Sequence, residues 1–388
     1  MSPVKSRIPV SIITGFLGAG KSTLLNRILK DAAMKDAAVI INEFGEVGID
    51  HMLVEASNDS VIELADGCLC CTVRGELVET LAMLVDGMQT GRLKPISRVV
   101  IETTGLADPA PVMQSVMGHP AIAQHFDLDG VVTVVDAVNG MKTLDSFIEA
   151  VRQVAVADRL ILTKKTLADA TGIDALVARL RELNPRAVVT DGDSEEAGEV
   201  AVLVNGLYDP ATKIADVDRW LKDEIAEEHR HDHHDHGHHG HGHHDDHGHH
   251  SHGHHHHHDV NRHGDDIRSY SIIHDAPIDP MALEMFLDIL RSTHGDKLLR
   301  MKAVVALTDR PDWPVVLHGV QSIFHPPVRL PGWPDPSDRR TRLVLITRDL
   351  PESYVRELFD AFTGRPGIDR PDRAALEDNP LAIPGLKI

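Results

Sequence analysis

Residues 15–22 read Gly-Phe-Leu-Gly-Ala-Gly-Lys-Ser, and further along the chain Cys68, Cys70 and Cys71, its three cysteines, crowd into one short segment. The first segment has the form G-x-x-x-x-G-K-S, and it lies between a β-branched apolar run and a stretch with helical apolar spacing. In that setting the backbone N–H groups of Gly18, Ala19, Gly20, Lys21, Ser22 and Thr23 wrap phosphate oxygens at a helix N-terminus. Lys21 neutralises the β and γ phosphates, and the Ser22 hydroxyl holds Mg2+. The chemistry is nucleotide binding and phosphoryl transfer.

Three thiols in one place are no scattered disulfide framework, and 388 residues need no covalent staples to build a core. The cysteines sit between a predicted strand and a helix beginning near Val73. A helix N-terminus lowers a thiol pKa and favours the thiolate that binds Zn2+ or Cu+. One short loop does not easily close a tetrahedral site, so a carboxylate, an imidazole or an exchangeable ligand must complete it. Such an incomplete cage suits a metal that later leaves. A redox pair or buried structural thiols is the competing reading.

Glu102 ends an apolar run and is followed at once by Thr103, Thr104 and Gly105, the placement of a Walker B element. There Glu102 supports the Mg2+ shell and the Gly105 N–H senses a γ phosphate. An isolated acid at a strand end is otherwise a solvated cap. Residues 42–50, Asn-Glu-Phe-Gly-Glu-Val-Gly-Ile-Asp, follow the second apolar run, where a nucleotide-sensing switch is placed in P-loop GTPases.

These groups need a frame. Nearly continuous apolar runs at 10–15, 37–42, 60–64, 98–103, 130–136 and 159–163 predict strands buried on both faces. Helical spacing at 22–30 and 73–84 alternates with them, so the first part of the chain reads as a mainly parallel α/β sheet with a P-loop NTPase arrangement. Residues 229–258 then hold 19 of the 27 histidines, interleaved mainly with Gly and Asp. With no apolar side chains to bury, that tract predicts a disordered linker spanning on the order of 30 Å. Its histidines fit metal capture, a solvated linker or a pH-responsive segment. Beyond it, strands at 267–274, 298–307, 315–324 and 342–347 with helices at 280–291 and 352–362 predict a small α+β domain, largely antiparallel. The division expected is 1–224 for the nucleotide domain, 225–266 for the linker and 267–388 for the last domain.

A formal net charge of −20 argues against nucleic acid or an anionic membrane as the partner. No apolar run reaches the roughly twenty residues of a spanning helix, and the first ten residues lack a secretory pattern. Free thiols then point to the cytoplasm.

At these residues the chain resembles the CobW-like P-loop GTPases, a family with zinc metallochaperones, a cobalamin-synthesis protein and nitrile hydratase activators. GFLGAGKST, NEFGEVGID, GCLCC and ETTGLADP occur in that family's order. The resemblance implies GTP and Mg2+ as cofactors, with Cys68, Cys70 and Cys71 as metal thiolates between P-loop and switches. It adds Glu46 and His119 as further ligands, although Ile41 stands where some relatives carry another acid. It also makes Thr163 and Lys164 the start of the guanine-reading element, which here continues Lys165-Thr166. Thr166 replaces the aspartate that accepts from guanine, so guanine preference is either weakened or supplied by another acid, for instance Asp169.

The expected function is a slow GTPase that binds a divalent metal, Zn2+ first and Co2+ as the alternative, and delivers it to a metal-requiring client protein. Lys21 and Glu102 carry the catalysis, and a homo-oligomer is left open. The rival readings are a cobalt-handling accessory protein of corrin synthesis, a histidine-rich metal buffer and a thiol redox sensor.

Overall fold

The computed structural model describes residues 7–41, 61–63, 72–204, 267–333 and 335–364. Glu46, Cys68, Cys70, Cys71 and the histidine tract lie outside the described residues.

Strands β1 (Ile8–Gly15), β2 (Ala37–Ile41), β3 (Val61–Glu63), β4 (Arg98–Glu102), β5 (Phe126–Asp136), β6 (Arg159–Thr163) and β7 (Val188–Asp191) form one sheet in the order β3-β2-β4-β1-β5-β6-β7. Every neighbouring pair is parallel. The alternation along a strand shows why these runs are apolar throughout. Ile12, Ile40 and Ile101 enter a core on one face, with helices α2 (Thr72–Gln89) and α3 (Ala110–Gly118) over it. Ile13, Val39 and Val100 enter a core on the other, under α1 (Lys21–Ile28). Short α4 (Pro120–Ala123) leads into β5, and α5 (Gly140–Ser146), α6 (Ile148–Ala155) and α7 (Ala170–Leu183) connect the remaining strands.

Two differences from the sequence reading have plain causes. Strand β5 starts four residues before the predicted 130, because Phe126 and Leu128 are buried while Asp127 and Asp129 interrupt the apolar run. Asp129 is tolerated inside by the Arg98 guanidinium, whose Nη1 lies 2.5 Å from its Oδ2. Strand β7 went unread because it is a four-residue, half-covered edge.

The second sheet is antiparallel, built from β8 (Ile267–His274), β9 (Leu298–Val305), β10 (Val315–Val320), β11 (Ile323–Phe324), β12 (Val328–Arg329) and β13 (Thr341–Arg348). Helices α8 (Pro280–His294) and α9 (Glu352–Thr363) cover one face. The run predicted as a single strand at 315–324 is instead a hairpin. Val320 pairs with Ile323 across a two-residue turn, in which Gln321 takes φ 53°.

This sheet docks on the first domain through apolar and polar contacts. Ile267, Leu299 and Ile346 join the cluster of Leu160, Leu176 and Leu180. Buried Asp158 accepts from Val131 N at 2.9 Å and pairs with Arg300, Nη2 to Oδ1 2.6 Å, and with Lys302, Nζ to Oδ1 2.5 Å. Burial works to raise the Asp158 pKa, but Arg300 and Lys302 overcome it and hold the carboxylate well below its usual range. Gln114, midway along α3, and Gln321 add an amide contact of 2.7 Å.

Candidate functional site

The phosphate loop turns between β1 and α1 on three glycines with positive φ, Gly15, Gly18 and Gly20, a backbone region that other residues rarely adopt. Gly15 has φ +140°, and a Cβ there would stand 2.3 Å from the Val134 carbonyl oxygen. Gly20, at φ 99°, caps α1 and accepts Leu24 N at 2.9 Å. The loop thereby presents Lys21 and Ser22 as the first helical residues, both buried, with Thr23 exposed.

Strand β4 lies beside β1, with Ile13 opposite Glu102, so the Walker B acid arrives at the mouth of the loop. The Ser22 Oγ donates to Glu102 Oε1 at 2.9 Å inside a buried pocket. A hydroxyl and a carboxylate at this spacing supply the oxygen donors a hard divalent cation takes. The Lys21 ammonium donates to the Gly15 carbonyl at 3.0 Å, folded over the loop it would share with a phosphate.

The opposite rim is held by β6. Thr163 Oγ1 donates to Ala19 O at 2.7 Å, and Lys164 Nζ donates to Gly18 O at 2.8 Å and to Asp136 Oδ2 at 2.7 Å. Part-burial works to raise the Asp136 pKa, while Lys164 and Asn139 bring it below the ordinary carboxylate value, so the pair is ionic. On the third side Gly105 sits against the loop backbone, where an added Cβ would lie 2.6 Å from Leu17 N. A cavity of about 280 Å3 opens beside the loop, lined by Phe16, Leu17, Asp136, Thr143 and Gln153 among others.

The structure thus brings together Gly18, Ala19, Gly20, Lys21, Ser22, Glu102, Gly105, Thr163 and Lys164. It places His119 elsewhere, as the exposed residue after α3, at the end of that helix away from the Gly105 loop. Among the described residues no group of three or more His, Cys, Asp or Glu is arranged to hold a metal ion. Asp169, the acid suggested for guanine, instead caps α7, its Oδ1 accepting from Gly172 N at 2.8 Å. The acid at the rim beside Lys165 is Asp191, and their ion pair holds the Asp191 pKa below its usual value.

Sequence reasoning passed over Asp136, Gln153 and Arg27. Asp136 carried the same signal as Glu102, an acid closing an apolar strand. Gln153 showed only as a polar residue within the apolar face of α6. Arg27 had no signal; its guanidinium reaches the carbonyls of Gly192 and Ser194, tying α1 to the loop after β7.

No helix among the described residues is long and apolar enough to cross a membrane. The nucleotide-binding domain described as CobW/HypB/UreG matches residues 9–191, and the cobalamin synthesis protein cobW C-terminal domain matches residues 267–363. The zinc chaperone YjiA of Escherichia coli is 31% identical over 353 residues, spanning 91% of this chain and 98% of that protein. The zinc-regulated GTPase metalloprotein activator 1 of Saccharomyces cerevisiae is 34% identical over 204 residues, 46% of this chain and 47% of that one. Among solved structures, Zn(II)-bound YjiA GTPase from E. coli superposes with a TM-score of 0.58 at 26% identity, covering 92% of this chain and 99% of its own.

Proposed function

The chain belongs to the CobW/HypB/UreG nucleotide-binding family, and from that premise we propose that it is a GTP-dependent zinc metallochaperone. The observation that carries the nucleotide half is the Ser22–Glu102 pair, 2.9 Å apart, at the mouth of a phosphate loop held on its far rim by Thr163 and Lys164. The zinc half is supported by the Cys68, Cys70, Cys71 cluster and by the zinc chaperones among its relatives.

In this reading zinc is cargo and GTP hydrolysis to GDP and phosphate resets the protein. Mg2+, when bound, neutralises charge shared by the β and γ phosphates. Ser22 and Glu102 would hold that cation. Lys21 exchanges the Gly15 carbonyl for phosphate oxygens, a short movement within the same loop. The Gly105 N–H takes a γ-phosphate oxygen and reports its presence. Loss of that oxygen relaxes the segment around Glu46 and changes how Cys68, Cys70 and Cys71 hold zinc, so the ion passes to a metal-requiring client. Glu46 is an auxiliary ligand, His119 stands apart at the far end of α3, and the histidine tract within 225–266 gathers zinc at many weak sites.

Mg2+-dependent GTP turnover is the first consequence, expected in the full chain and lost in Ser22→Ala; a wild-type chain that neither binds nor hydrolyses GTP would reject the reading. Guanine preference has a separate test. Thr166 offers no bidentate acceptor, so Thr166→Asp is expected to raise the GTP-over-ATP affinity ratio about tenfold to a hundredfold, the worth of one bidentate base contact. An unchanged ratio would mean that guanine is read by another group.

A further inference from the structure

Gln153 is a buried amide on a helix whose neighbouring positions, Val151, Val154 and Ala155, are core. A polar side chain in that position is costly unless its hydrogen bonds are made. Its Nε2 donates to Gly105 O at 3.2 Å and to Ala107 O at 3.0 Å. Both amide hydrogens are therefore spent on the loop that follows the Walker B acid. The helix beneath is fixed in turn, since Thr133 Oγ1 on β5 donates to the Gln153 carbonyl at 2.7 Å. One residue earlier, Arg152 Nη1 meets Asp108 Oδ2 at 3.2 Å, and Asp108 Oδ1 accepts Ala110 N at 2.9 Å at the start of α3.

We propose that Gln153 is a positioning residue for nucleotide discrimination: its two-pronged hold on the Gly105 and Ala107 carbonyls sets where the Gly105 N–H stands relative to a γ phosphate. The inference rests on the nucleotide reading above. Its physical content is that Gly105 has no side chain to fix it, and that it lies directly against Leu17 of the phosphate loop. The Gly105 N–H belongs to the Thr104–Gly105 peptide, whose Thr104 carbonyl accepts from Ala107 N at 3.2 Å. Gln153 fixes the two carbonyls that follow, those of Gly105 and Ala107, and so pins the Gly105 Cα and the turn that closes back on Thr104, which holds the Gly105 N–H ready for a triphosphate. Without the Gln153 amide, a triphosphate must order the loop at the cost of its own affinity, whereas a diphosphate makes no contact there and loses nothing.

The test compares dissociation constants for GDP and a slowly hydrolysed GTP analogue in the full chain with Mg2+, for wild type, Gln153→Met and Gln153→Glu. Methionine keeps the volume and removes both donors. Glutamate is isosteric and, protonated in this buried setting, keeps at most one of the two donors, and it serves where methionine impairs folding. The expected result is GDP affinity within about twofold of wild type and analogue affinity weaker by about tenfold or more. Two affinities that fall by the same factor, or do not change, would make Gln153 a packing residue and overturn the proposal. A wild-type chain that bound neither nucleotide would overturn it together with the nucleotide reading.

Discussion

Lys21→Ala removes nucleotide binding while leaving the fold intact. Truncating one partner of a buried charge-assisted contact costs about 2–5 kcal/mol, which is roughly thirtyfold to several thousandfold in Kd. The ammonium is suited to this role by position: it starts α1, it is buried, and it bonds the Gly15 carbonyl of its own loop. The turns at Gly15 and Gly20 are set by backbone conformation, so alanine at 21 does not disturb them. Calorimetric titration with GDP and the GTP analogue, beside a thermal melt, checks both halves. Retained affinity within a fewfold of wild type would remove Lys21 from the site.

The second large effect lies at the docked face of the second sheet. Asp158→Ala leaves buried Arg300 and part-buried Lys302 without their carboxylate, and breaking a buried pair from one side costs about 3–5 kcal/mol. The Asp158 and Arg300 side chains are 3% and 8% exposed, so water does little to compensate. Arg329 and Asp309 form a pair 29% and 46% exposed, and Asp309→Ala is expected to change stability by less than about 1 kcal/mol. Urea unfolding at neutral pH separates the two; equal effects would show the buried cluster to be replaceable.

The same measurement against pH has a defined sign. The folded Asp158 pKa is depressed, so its contribution is complete above the unfolded carboxylate value of about 3.9 and is lost only as pH falls through the lower folded value. Burial, with Lys302 and Arg300 nearby, pushes the His318 pKa well below its usual value. The unfolded chain then takes up a proton near pH 6.5 that folded His318 refuses. Stability therefore falls on acidification from about pH 6.5, by up to about 1.4 kcal/mol per unit. His318→Gln is expected to flatten that part of the curve.

What could be read in advance follows from how local each constraint is. The phosphate loop was legible because its glycines are demanded by backbone geometry within one turn, and Glu102 because an acid closing an apolar strand is an anomaly in its own neighbourhood. The parallel sheet was legible because both faces of its strands are buried, which leaves continuous apolar runs. The contact of Asp158 with Arg300 joins residues 142 positions apart, and nothing near either announces the other. Gln153 is similar: its partners Gly105 and Ala107 contribute only carbonyls, which leave no mark in a sequence. The hairpin at Gln321 was hidden for another reason. Its turn residues, Gln321 and Ser322, carry none of the Gly or Asn signal that left-handed conformations favour.

The proposed function couples nucleotide to zinc. It is tested most directly by zinc affinity in the reduced full chain, with free zinc buffered low enough that the weak histidine sites stay empty, in the presence of GDP or the GTP analogue. One tight site is expected, lost when Cys68, Cys70 and Cys71 are changed to serine, with an affinity that differs at least about tenfold between the two nucleotides; complete transfer of the ion would need about 10,000-fold. A zinc affinity that is identical with either nucleotide, or that survives loss of the three cysteines, would contradict it.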